Sequence, residues 1–81
     1  MLSRISRFLD GIAIKMMLGS LLKELMFEYQ KKGHSSVEAE KLARAEMMIS
    51  LAGKGVDIES YYAVRSWKKS YMAERARILQ Q

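Results

Sequence analysis

Apolar positions recur along this chain at three- and four-residue intervals, and no turn dipeptide joins two alternating runs, so the pattern predicts helices and no hairpin. The densest apolar stretch is MMLGSLLKELMFEY, residues 16–29. At about 100° per residue, Leu18, Leu21, Leu22, Leu25, Met26 and Tyr29 share one broad face. Lys23, Glu24, Glu28 and Lys31 take the other, which marks a core helix with a solvated back. Upstream, Leu2, Ile5, Phe8, Leu9, Ile12 and Met16 also share a face, with Arg4, Arg7, Asp10 and Lys15 opposite. Projected on one straight helix, that face lies roughly 150° around from the Leu18 to Tyr29 face. Two outcomes satisfy this change of side. Either the helix breaks near Gly11 or Gly19, each of which weakens a helix interior by about 1 kcal/mol relative to Ala, or one long helix shows apolar faces to two partners. A broken arm would fold back on its own domain; an unbroken one would meet another subunit or protein, or lie on a membrane as a basic amphipathic helix. The scarcity of aromatic anchors in the arm argues against the membrane.

Lys31 and Lys32 suit a helix C-terminus, and Gly33 suits a left-handed cap. Ser35 or Ser36 then opens a second helix, and Ser35 with Glu38 has capping-box spacing. Along it Val37, Leu42, Ala45, Met48, Ile49 and Ala52 are expected inward and Glu40 and Arg44 outward. Met47 and Leu51 point away from that face and suggest a second contact surface. The connection Gly53-Lys54-Gly55-Val56 has a Gly-rich look, but it lacks GxxxxGK[ST], follows no strand and precedes Asp57, which would repel phosphate. It is read as an interhelical turn, with Asp57 capping a third helix. In that helix Tyr61, Val64, Trp67, Tyr71 and Ile78 form the apolar stripe. Arg65, Lys68, Lys69, Met72 and Arg75 crowd one edge of it, interleaving cations with aromatics as a nucleic-acid surface would. Helices two and three can be laid on a helix-turn-helix template with Gly55 as the turn glycine and Tyr61 and Val64 buried. Leu51 and Lys54 depart from that template.

Together these features predict an all-α, three-helix domain spanning 1–81, with helices over about 3–32, 36–52 and 57–79 and residues 1–16 as a separable amphipathic arm. With 81 residues and no Cys, stability rests on apolar burial alone, within the chain or between chains. The net charge of +5 favours anionic partners. It is concentrated at the ends: residues 1–32 and 54–81 each carry six Lys/Arg against three Asp/Glu, and the middle is slightly acidic. MLSRISRFLDG superficially suggests a targeting segment, but Asp10 and Lys15 interrupt it, no clean cleavage site follows, and the uncharged run of residues 16–22 is too short to span a bilayer. The expectation is a soluble, cytoplasmic or otherwise intracellular protein that keeps its first helix.

Catalysis is poorly served. The lone His34 sits beside Gly33 at a helix junction, where it is read as a turn or capping residue, and the Glu24/Glu28 pair sits among lysines as solvated ion pairing. No cofactor or metal is expected. The apolar surface exceeds what one small core needs, so the chain is read as a non-enzymatic protein–protein interaction or assembly module, oligomeric or docked on a larger protein. Its interface candidates are Phe8, Ile12, Met47 and Leu51. The alternative is a nucleic-acid binder using Arg65, Lys68, Lys69 and Arg75.

Overall fold

A computed structural model of the chain describes the backbone of residues 2–79 and the side chains of residues 9–79. It contains three helices, α1 (Leu2–Lys31), α2 (Ser36–Gly53) and α3 (Tyr61–Leu79), and no strand among the described residues. Helix α1 runs unbroken through Gly11 and Gly19. Of the two outcomes open to the sequence, one long helix with two apolar faces is therefore the one adopted. Both other helices pack on α1, α2 more extensively than α3.

The two ends that need a left-handed residue have one. At the end of α1, Gly33 has φ 100°, its N–H donates to the carbonyl of Gln30 at 3.0 Å, and the N–H of His34 donates to that of Tyr29 at 3.2 Å. These are the paired bonds of a Schellman cap, and the His34 ring meets Tyr29 edge-on at 5.8 Å as the accompanying contact. Helix α2 ends the same way: Gly55 has φ 61°, Gly55 N–H donates to Ala52, and Val56 N–H donates to Leu51 at 3.0 Å. Val56 is thereby delivered onto the core. The Ser35 hydroxyl accepts from the Glu38 N–H at 3.2 Å and caps α2, while the Glu38 side chain turns to His34 Nδ1.

Asp57 does not cap α3. Its Oδ1 accepts from the Glu59 N–H at 3.0 Å, and its carbonyl accepts from Ser60, which holds a turn. The cap is Ser60, whose hydroxyl accepts from the Ala63 N–H at 3.2 Å, so α3 starts four residues later than the sequence suggests. The α2–α3 connection therefore spans residues 54–60, longer than the three or four residues of a helix-turn-helix turn.

The core gathers Leu21 and Leu25 of α1, Ala43, Met47 and Leu51 of α2, and Trp67 and Tyr71 of α3; Leu18, Leu22, Met26 and Tyr29 pack around it. The α1 face is the expected one. The α2 face is the opposite one. Ala39 and Ala43 are fully buried and let the α2 backbone come close to α1, and Met47 and Leu51, expected to point away, are 6% and 8% exposed. Val37, Leu42, Ala45, Met48, Ile49 and Ala52, expected inward, are all exposed. Two polar residues decide this rotation. Glu46 and Ser50 lie on the same side of α2 as Ala39 and Ala43 and find donors there on both neighbouring helices. Turning Ile49 inward would have stranded the bonds they make, and a count of apolar residues alone cannot register that cost.

Two substitutions on α2 separate the two orientations. Met47→Ala is expected to lower unfolding free energy by about 2–5 kcal/mol, whereas Ile49→Ala should change it by less than about 0.5 kcal/mol. Urea denaturation followed by circular dichroism measures both; the reverse ranking would mean that α2 faces the other way.

Candidate functional site

The polar contacts that link the three helices centre on Glu46, half-buried at the middle of α2. Its Oε1 accepts from the Tyr29 hydroxyl at 3.0 Å. Its Oε2 accepts from the Tyr71 hydroxyl and from Arg75 Nη1. Arg75 Nη2 in turn donates to Glu28 on α1. One carboxylate thus joins all three helices, with Arg75 bridging from α3 to both of the others. Beside it Trp67 stacks on Tyr71, centroids 5.1 Å apart, and donates its indole N–H to the Ser50 hydroxyl at 2.9 Å. No buried side-chain nitrogen or oxygen among the described residues lacks a partner.

The electrostatics follow from burial and pairing. Desolvation, and then the hydrogen bond to the Glu46 carboxylate, push the Tyr71 phenol well above its ordinary value, and Tyr29 shifts the same way for the same reasons. Burial works against the charge of Arg75, but the bond to Glu28 and the two carboxylate charges outweigh it and raise its pKa. The cluster is consequently a saturated structural clamp, with every acceptor oxygen of Glu46 already engaged.

This arrangement redistributes the candidate residues. Arg75 is removed from the nucleic-acid set, because its guanidinium is committed to Glu28 and Glu46 and mostly covered. Glu28, expected in a solvated pair on its own helix, is instead Arg75's partner. Arg65 and Lys69 are exposed on α3, Lys68 is half-buried, and Tyr62 stands exposed beside them on the outer side of the helix. Met47 and Leu51 leave the interface set for the core, because the face that carries Glu46 is the one turned inward. Phe8 lies outside the described side chains. Ile12 remains exposed, and with it Leu9 and Met16 on the side of α1 away from the core. The sequence reading did not single out Met48 and Ile49 as surface groups; both are exposed on the outer side of α2.

Between α1 and α2 an open groove of about 330 Å³ is lined chiefly by Leu18, Gly19, Leu22, Met48 and Leu51. One turn before Leu18 on the same core-facing side of α1, Ile14 is buried and shares a depression with Ile58 of the 54–60 connection. Among the described residues no group of His, Cys, Asp or Glu is placed to hold a metal ion, and no helix is long and apolar enough to cross a membrane. The chain matches no protein-family model, and neither a curated protein nor a solved structure matches it significantly.

The clamp has a pH signature. The folded-state pKa of Tyr71 lies above the ordinary 10.0 of an unfolded chain. Its contribution to stability is therefore complete below about pH 10 and is lost as pH rises through the interval above that value. Tyr71→Phe should cost about 1–2 kcal/mol at pH 7 by removing one donor to Glu46. The gap between wild type and variant, measured by urea denaturation, should narrow above about pH 10; a gap that stays constant with pH would show that the phenol is not held protonated by its surroundings.

Proposed function

We propose that the protein is a non-enzymatic helical assembly module, whose task is to be covered by another protein surface. The observation that carries this reading is the disposition of large apolar side chains on the outside of two helices. Met16 and Ile49 are 70% and 73% exposed, and each stands with apolar neighbours, Leu9 and Ile12 on α1 and Met48 on α2. Single exposed apolar groups are ordinary on soluble proteins, whereas aligned ones of this size mark contact surfaces. The polar cluster supports the same reading: its groups stabilise the fold and leave no carboxylate or phenol free for chemistry.

Nucleic-acid binding is the second reading, favoured by Tyr62, Arg65 and Lys69 together on the outer side of α3, where among the described residues no ion pair engages the two cations. Tyr62 offers a stacking face and the cations offer phosphate contacts. The surface is narrower than the sequence implied, since Arg75 is committed elsewhere.

Light scattering after size exclusion, at low and high salt and with and without random duplex DNA, separates the two. The assembly reading expects a mass above that of the monomer that survives a several-fold rise in salt and is unchanged by DNA. A monomer that shifts onto DNA at low salt, releases it steeply as salt rises, and loses the shift in an Arg65→Ala, Lys69→Ala double variant would replace that reading with the second.

A further inference from the structure

Two packed helices leave a groove on each side of their contact, and in this fold α3 occupies one of the two. Glu46 and Ser50 on α2 and Glu28 on α1 reach the Tyr71, Trp67 and Arg75 side chains of α3 there. Arg44 and Met48 stand about 160° around α2 from Glu46 and Ser50. With Leu18, Gly19 and Leu22 they border the other groove, whose lining comes from α1 and α2. Its floor is partly built already, since Leu51 is buried and Leu18 and Leu22 are half-buried.

The edges of this open groove carry charge of one sign. Lys15 and Arg44 line it, and Lys23, one turn on from Gly19, and Lys41, one turn before Arg44, prolong the same two edges and are exposed. Among the described residues no ion pair engages Lys15, Lys23 or Lys41. Among the described residues the one carboxylate on these edges is Glu40, and a single oxygen of it meets Arg44 Nε at 3.0 Å and Nη2 at 2.9 Å. That contact uses one side of the guanidinium and does not involve Nη1. Glu59 lies farther along, in the neighbouring depression with Ile14 and Ile58.

An apolar trough of about 330 Å³ between cationic edges selects a partner that is apolar along its middle and acidic at its sides. Nucleic acid fits poorly, because phosphates would lie against Leu18, Leu22 and Met48 and no aromatic side chain lines the trough for stacking. A second copy, itself at +5, would bring like charges to these edges.

We infer that the open α1–α2 groove receives an acidic amphipathic helix of a partner protein, on the side of the pair opposite α3. The inference rests on the assembly reading and gives the partner its chemistry. Apolar side chains at helical spacing enter the trough, with Met48 as an adaptable wall, and Asp or Glu beside them meet the four cations. Lys15 to Lys23 and Lys41 to Met48 each cover about two turns, roughly 10–12 Å of helix axis. The contact is correspondingly short.

Fluorescence anisotropy tests this with a labelled synthetic peptide about five helical turns long, leucine along one helical stripe and glutamate elsewhere; a control peptide carries lysine for every glutamate. The full chain is titrated in as wild type, as Lys15→Glu with Arg44→Glu, as Met48→Glu, and as Lys31→Glu with Arg77→Glu, which makes the same charge change away from the groove. Circular dichroism verifies that each keeps its helicity. Wild type is expected to bind the glutamate peptide saturably, more weakly as salt rises, and to ignore the lysine peptide. Reversing Lys15 and Arg44 should weaken the glutamate peptide by about tenfold or more and let the lysine peptide bind in its place. Met48→Glu should weaken it too, and the Lys31 and Arg77 pair should leave it unchanged. An equal loss in that last pair, equal affinity of wild type for both peptides, or no saturation at ~1 mM protein would overturn the proposal. Wild type that self-associates in light scattering yet ignores both peptides overturns this partner and leaves the assembly reading standing. A monomer that ignores both peptides and binds duplex DNA removes both.

Discussion

Helix α1 is apolar on two sides, and α2 and α3 pack on one of them. Its 30 residues carry a broad apolar face that becomes the core and a second apolar line on the far side. Helices α2 and α3 both go to the first face, where Leu21 and Leu25 are almost wholly buried. Among the described residues Leu9, Ile12 and Met16, on the other side, stand exposed. The molecule is correspondingly long, 49 Å by 26 Å by 18 Å, with a radius of gyration of 14.2 Å, against about 12 Å for a compact domain of this length.

The second constraint is Glu46. A carboxylate in the middle of α2 has to be satisfied wherever it is turned inward, and Tyr29, Tyr71 and Arg75 do so from both other helices. Such a cluster is demanding, because each donor is useful only if all three helices are in register; a partly satisfied version would be worse than an apolar one. Its consequences reach the surface. Holding Glu46 inward holds Met47 and Leu51 inward as well, turns Met48 and Ile49 out, and commits Arg75 to the fold rather than to a ligand.

Much of the fold was legible in the residues. The helix boundaries at Gly33 and Ser35 and the core face of α1 follow from local rules of capping and period, and each holds. The change of side between the two halves of α1 was also readable, although the choice between a break and a continuous helix depended on tertiary packing. What local pattern could not supply was the rotation of α2 and the fate of Arg75. Both depend on polar groups more than a dozen residues apart meeting across three helices, and no spacing in the sequence announces such a meeting. The most informative signal available was a charged residue set close to Ala39, Ala43 and Ser50 on one side of α2, opposite two tyrosines elsewhere on apolar stripes. The start of α3 was missed for a smaller reason: Asp57 and Ser60 are both good capping residues, and the turn that Asp57 holds with Glu59 leaves the cap to Ser60.

The central claim is that the outer side of α1 is covered when the protein is at work. Hydrogen exchange read peptide by peptide at two widely separated protein concentrations tests it most directly. The account predicts that amides of residues 9–16 exchange more slowly at the higher concentration while those around Leu21 and Leu25 are slow at both. Equal and rapid exchange of residues 9–16 at both concentrations, beside a protected core segment, would contradict it.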